Sequence, residues 1–142
     1  MREIVFRAKE LHTGEWVYGW YLKTFFGGPG LSHAILDRYE AALNMVHCHE
    51  IDESTLGQYT GVNDMHKVGI FEGDIVRVIT GRVCKVEWFS SLQYVGWDLV
   101  PIGNLNCPPP KKEDLWRCEV IGNIHDYPNY KEMLELQNQP RR

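Results

Sequence analysis

The chain has no CxxC pair. Cys48, Cys84, Cys107 and Cys118 lie far apart in its 142 residues, which disfavours a zinc ribbon. It has no excess of positive charge: 15 Lys and Arg stand against 19 Asp and Glu, a formal balance of −4. Generic binding to a phosphate backbone feeds on positive charge, so the balance counts against it, although a local basic patch stays open. No run approaches the roughly 18 apolar residues of a membrane span. The opening MREIVFRAKE is charged at Arg2, Glu3 and Arg7 and has no apolar core long enough for a secretory signal. A cytoplasmic setting with reduced thiols and no membrane partner is the resulting expectation. Repeats, low-complexity segments, and the G-x-S-x-G, HExxH and phosphate-loop patterns are missing too. No enzyme class is indicated and no cofactor is expected.

What is present is core material. The sequence is 44% hydrophobic, with five tryptophans and seven tyrosines, ample for one ordinary domain over residues 1–142. REIVFRA alternates, with Ile4, Phe6 and Ala8 on one face, and predicts a strand. A turn at Thr13-Gly14 leads into EWVYGWYL, whose aromatic and β-branched residues suit a pleated surface. Together they predict an N-terminal hairpin. FFGGPG (Phe25 to Gly30) breaks regular structure. Residues 33–50 are ambiguous: Ile35, Leu36, Tyr39, Leu43 and Val46 fall near helical spacing, yet HAILD and NMVHCHEI could be two strands.

DIVRVI and RVCKVEW predict two strands joined at Thr80-Gly81, and YVGWDLVP a third. NLNCPPPKKED is a loop, because three prolines forbid a ladder. LWRCEVIGNI is a late strand. Pro128 suits the first turn of a helix that continues through Met133, Leu134 and Leu136. Six to eight short strands and one terminal helix argue for a mainly β fold, α+β at most, as a small barrel or sandwich-like sheet. The hairpin from Asp74 to Trp88 suits an SH3-like barrel. The expected parts are an N-terminal β part (about 1–57), a barrel part (58–125) and a C-terminal helix (127–138).

Three motifs resemble the YopX family of phage and prophage proteins. The first is Arg2 to Arg7 followed by Gly14 to Gly19. The second covers Gln58, Thr60, Gly61, Asp64, Ile70 and Glu72-Gly73-Asp74 through Val76. The third is Glu119 to Ile124, with Gly122 and Asn123. One departure stands out: the family often has glycine where this chain has Lys67, and Gly69 follows two residues later, which predicts a locally rebuilt turn. The resemblance implies strands at about Ala34–Asp37 and Met45–Ile51, and a barrel-containing, self-associating protein. It implies no established activity, and it leaves the motif residues with a structural reading.

Asp64, Glu72 and Asp74 could hold a hard cation, which takes several oxygen ligands. The competing reading is turn chemistry: Gly61 and Gly73 supply positive φ, and Asp bonds nearby backbone. His47 and His49 share one face of a strand, as half of a zinc site would, but they need two more ligands. Turn architecture and a half-exposed strand are the favoured accounts of both groups. Cys84 and Cys118 sit in apolar strands and read as inert buried thiols.

Trp16, Tyr18 and Trp20 share one face and form a strip of aromatic surface. With Tyr21, Trp88, Tyr94, Trp97 and Trp116 they supply either core and oligomer interface or a stacking platform for single-stranded nucleic acid. Clustering of Arg7, Lys9, Arg77, Arg82 and Lys85 would favour the second. The expected function is a non-enzymatic, self-associating binding or accessory module, with a nucleic-acid-binding module of phage replication or gene control as the alternative.

Overall fold

A computed structural model of the protein describes residues 3–24, 32–104 and 106–132. These form nine strands: β1 (Phe6–Glu10), β2 (Trp16–Thr24), β3 (Ser32–Glu40), β4 (Met45–Asn63), β5 (Gly69–Phe71), β6 (Asp74–Val78), β7 (Val83–Ser90), β8 (Val95–Gly103) and β9 (Cys118–Asn123). The mainly β class is as the sequence predicts. The chain divides into two compact units, Met1–Tyr59 and Thr60–Arg142.

The ambiguous stretch resolves as strands. β3 and β4 pair from Ala34↔Glu50 to Glu40↔Met45. The helix-favouring Ala41-Ala42-Leu43 makes only one 3-10 turn. Asn44 ends it in the left-handed region at φ 48, which asparagine tolerates better than most residues. The Tyr39 hydroxyl donates to Asn44 Oδ1 at 2.7 Å.

The first unit closes on itself. β1 pairs with β2, β2 with β3, β3 with β4, and β4 returns to β1. Sequence reading found the hairpin but not this returning pairing, which spans about fifty residues of chain. The return is irregular: Arg7 faces Gly57, yet Lys9 faces Asp52. The excess residues of β4 form a bulge with its own hydrogen bonds. Thr55 Oγ1 accepts the Lys9 N–H at 2.8 Å and donates to the Asp52 carbonyl at 2.7 Å. Asp52 Oδ1 accepts the N–H and hydroxyl of Ser54. Thr55 thus replaces the ladder partner that the bulge removes. The ring encloses Ala8, Ile35 and Ile51, with Phe6, Val17, Tyr21 and Leu56 packed around them.

The second unit is a sheet in the order β8-β7-β6-β9. No pairing among the described residues closes it into a ring, so the strand pattern expected of a barrel over 58–125 is seen here as an open run. β6 is buried on both faces. Val76 and Val78 join Val62, Ile70, Cys84, Val86, Leu99 and Cys118 in the larger core. Ile75 and Val83 on the other face meet Ile102, Ile121, Ile124 and Tyr130. Full burial of each aliphatic side chain contributes about 1.5–3 kcal/mol.

Two boundaries differ from expectation. Leu115, Trp116 and Arg117 belong to a 3-10 segment, Lys112–Arg117, and the late strand begins at Cys118. The cause is local: Asp114 Oδ2 accepts the Lys111 N–H at 2.7 Å and turns the chain before it can extend. Of the expected terminal helix only 130–132 are helical among the described residues. Met133, Leu134 and Leu136 lie outside them, as do Phe25 to Gly30.

Gly19 marks the closest approach in the ring. A Cβ there would lie 1.9 Å from the Leu36 carbonyl oxygen. Gly19→Ala is expected to destabilise the first unit by more than about 2 kcal/mol, because the obstacle is backbone and the core resists expansion. Urea unfolding of the variant checks this. Lys67 takes φ 64, so the turn keeps a left-handed residue at that position instead of moving it to Gly69. That conformation costs an L residue roughly 1–2 kcal/mol, against about 0.5–1 kcal/mol of extra chain entropy for glycine. Lys67→Gly is therefore expected to raise stability by about 0.5 kcal/mol, read from the same transition.

Candidate functional site

The motif loop is built around two carboxylates. Asp64 is buried at the end of β4. Its Oδ1 accepts the N–H groups of His66 at 2.8 Å and Val68 at 2.9 Å. Its Oδ2 accepts the Val120 N–H of β9 at 3.0 Å, across 56 residues of sequence. Burial raises the pKa of this carboxyl, but the three N–H donors outweigh it, and the group ends below the ordinary carboxylate value. Asp74 is buried at the start of β6, and its Oδ2 accepts the Phe71 N–H at 2.8 Å.

Glu72, between them, is half-buried, and burial with the nearby Glu87 charge pushes its pKa up. Thr60 Oγ1 accepts the Val62 N–H at 3.2 Å, and Gly61 and Gly73 both sit at φ 87. Gln58 pairs with Phe6 in the first unit.

The closing motif meets the central one directly. Asp74 pairs with Asn123, and Ile75 with Gly122. The Gly73 carbonyl accepts the Ile124 N–H at 3.0 Å. Asn123 Oδ1 accepts the N–H groups of His125 and Asp126, and its Nδ2 donates to Asp126 at 2.7 Å. A Cβ on Gly122 would press on the Tyr127 ring at 3.2 Å. The central and closing motifs are thus two halves of one joint. The oxygens of Asp64 are directed at backbone donors, and no three His, Cys, Asp or Glu residues converge as metal ligands among the described residues.

The histidines of the first unit serve carboxylates. His47 Nε2 lies 2.8 Å from Glu40. His49 bridges two neighbours: Nδ1 is 3.1 Å from Glu10 on β1 and Nε2 is 2.9 Å from Asp37 on β3. The hydrogen bond donated to Asp37 raises the His49 pKa against the opposing effect of burial, and the same bond lowers that of Asp37. His33 Nε2 lies 3.0 Å from Glu53, and its Nδ1 meets the Tyr21 hydroxyl. Sequence reading paired His47 with His49 and missed their acidic partners, which lie on other strands.

On the outer face of β2, Tyr18 is 50% and Trp20 62% exposed, and Leu22 continues the strip. Trp16 is covered instead: the Arg7 guanidinium lies 4.7 Å and the Lys9 ammonium 5.5 Å from its ring centre. The other candidate cations are engaged within the second unit. Arg77 stands 4.0 Å from Glu119, Arg82 donates to the Cys107 carbonyl at 2.7 Å, and Lys85 pairs with Glu87. Trp88 and Trp97 meet edge to face on the β7–β8 hairpin. Beside β8 a cleft of about 350 Å³ opens, lined by Trp97, Asp98, Leu99, Pro110, Lys111, Lys112 and Leu115. Its lining comes from separate parts of the chain, and the sequence reading of the proline run as a loop gave no sign of it.

Three outcomes follow from these placements. Asp64→Asn keeps one acceptor and loses the other, and is expected to cost about 1–3 kcal/mol in denaturant unfolding. The His49 contribution is full below its unfolded pKa of about 6.5 and is lost as pH rises through its raised folded value. The Asp37 contribution is present above about 4 and is lost as pH falls through its lowered folded value. First-unit stability is therefore expected to fall as pH rises above about 6.5, and His49→Asn should flatten that slope in a urea series. Burial pushes the Cys84 and Cys118 thiols up to about 11, while Cys48 is exposed and Cys107 half-buried. A thiol reagent should label Cys48 and Cys107 in the native protein and the other two only after unfolding, as peptide mapping would show.

No curated protein matches the chain. Among solved structures, it is similar to the crystal structure of protein EF1440 from Enterococcus faecalis, at 22% identity and a TM-score of 0.49, over 92% of this chain and 99% of that one. The profile of the family described as YopX protein matches residues 5–132. That span includes Gly14 to Gly19, the Gln58 to Val76 loop and its joint with Glu119 to Ile124, and the chain belongs to the YopX family.

Proposed function

We propose that this YopX-family protein is a non-enzymatic binding or accessory module of phage or prophage origin that acts in the bacterial cytoplasm and associates with further copies of itself. The outer face of β2 carries the reading. Tyr18, Trp20 and Leu22 occupy successive outward positions of one strand and are all exposed among the described residues. Exposed aromatic strips of this kind suit interfaces. A second copy is the occupant that charge favours. The partly exposed Lys9 stands at the Trp16 end of the strip, where the buried Arg7 also packs on the indole, whereas residues 1–59 carry eight acidic against five basic side chains. The basic end of one strip would meet an acidic surface on its partner. No helix among the described residues is long and apolar enough to cross a membrane.

The second reading, a nucleic-acid-binding module, draws on the same Arg7–Trp16–Lys9 stack, since a base can replace a cation on an indole face. It is less favoured, because Arg77, Arg82 and Lys85 have partners within their own unit.

Native mass spectrometry of the protein purified from cells separates the two. An integer multiple of 16.5 kDa without adducts is the expected result. Trp20→Glu should then weaken association at least tenfold, the scale of an aromatic interface anchor. A monomer would overturn the self-association reading, and a monomer carrying oligonucleotide mass would replace it with the second.

A further inference from the structure

β8 ends the second unit's sheet, and its outer edge pairs with no strand among the described residues. An edge strand offers backbone donors and acceptors to any extended chain that reaches it. Here the edge has a cleft beside it. The apolar part of the cleft is Trp97, Leu99, Leu115 and Pro110, and the first three also belong to or pack on the larger core. Its volume of about 350 Å³ lies at the small end of ligand pockets, enough for one large side chain rather than a cofactor.

The rim has a sign. Lys111 and Lys112 are both exposed, and although the Lys111 backbone N–H donates to Asp114, neither side-chain ammonium has a carboxylate partner among the described residues. The Lys112 ammonium sits 3.5 Å from the centre of the Tyr94 ring, which holds it over the approach to β8. Asp98 is the one acidic lining residue. The Tyr94 hydroxyl already occupies the Trp97 carbonyl at 2.9 Å, and Pro101 has no N–H to give. The usable edge is therefore short, centred on Leu99.

We infer that this edge and cleft form a binding site for a short extended peptide, which adds as a strand beside β8, places one apolar side chain in the cleft, and sets acidic residues against Lys111 and Lys112. Main-chain hydrogen bonds would supply affinity and the cleft would supply selectivity. The inference does not rest on self-association: a monomeric protein would keep the same site.

The test uses the full-length protein and labelled peptides about six residues long, the usual strand length. One has a central leucine flanked by glutamates. A second replaces the glutamates with lysines. A third keeps the acidic sequence but is N-methylated at alternate residues, so that it cannot pair. Fluorescence anisotropy should show binding of the first, at least tenfold weaker binding of the other two, and loss of affinity with added salt. Amide shifts in the protein should cluster at residues 95–100 and 111–115. A Lys111→Glu, Lys112→Glu double variant should lose at least tenfold in affinity while keeping its thermal transition. Equal binding of all three peptides, absence of binding by the first, or amide shifts confined to other surfaces would overturn the assignment. Because protein mass is measured separately, failure here and failure of self-association are distinct results.

Discussion

The carboxylate of Asp64 governs the order of the second unit. A buried carboxylate without donors is costly, and three backbone N–H groups make this one stable. Two of those donors lie in the turn that follows β4, and the third is on β9. One side chain therefore shapes a local turn and also fixes where a distant strand begins its pairing. The Met65 N–H reinforces this link by donating to the Cys118 carbonyl at 3.0 Å. Strand β6 then lies between β7 and β9, buried on both faces. The neighbouring joint of Gly73, Asp74, Gly122 and Asn123 repeats the logic at the other end of β9.

The two units bury their apolar residues in different ways. The first wraps four strands into a ring around a few side chains, and Gly19 lets β2 and β3 come close enough for the ring to close. The second relies on a sheet with apolar packing on both faces of its central strand. The difference shows in their polar groups. Within the first unit, the carboxylates of Glu10, Asp37, Glu40 and Glu53 are met by histidines. The buried carboxylates of the second are answered by backbone donors.

Much of this was legible in the sequence, and the reasons differ by element. Alternation marked β1, β6 and β7, because one residue in two must face a core. The tight Thr13-Gly14 and Thr80-Gly81 turns announced their hairpins. The structural role of Asp64 and Asp74 was visible in their glycine-rich setting, although their partners were not. Residues 33–50 could not be assigned from propensity, since Ala41 to Leu43 favour helix and only the pairing with β2 and the rest of β4 overrides them. The Thr55 bulge was hidden for the same reason: it exists to fit β4 against β1, and nothing local requires it. The cleft depends on Asp114 turning the chain at Lys111, a hydrogen bond that spacing alone does not reveal.

The closed ring of the first unit has a consequence for how the protein could polymerise. Within the described residues each of its four strands has two neighbours, but in succession: β2 pairs with β1 at 16–19 and with β3 at 20–24, and β4 with β3 at 45–50 and with β1 at 51–58. No strand is therefore an edge along its whole length, which leaves only short ladders for strand addition and disfavours fibre growth by that route in this half of the chain. Contacts through side chains on its outer faces end in a closed pair only where the same patch meets itself, whereas two different patches could continue head to tail.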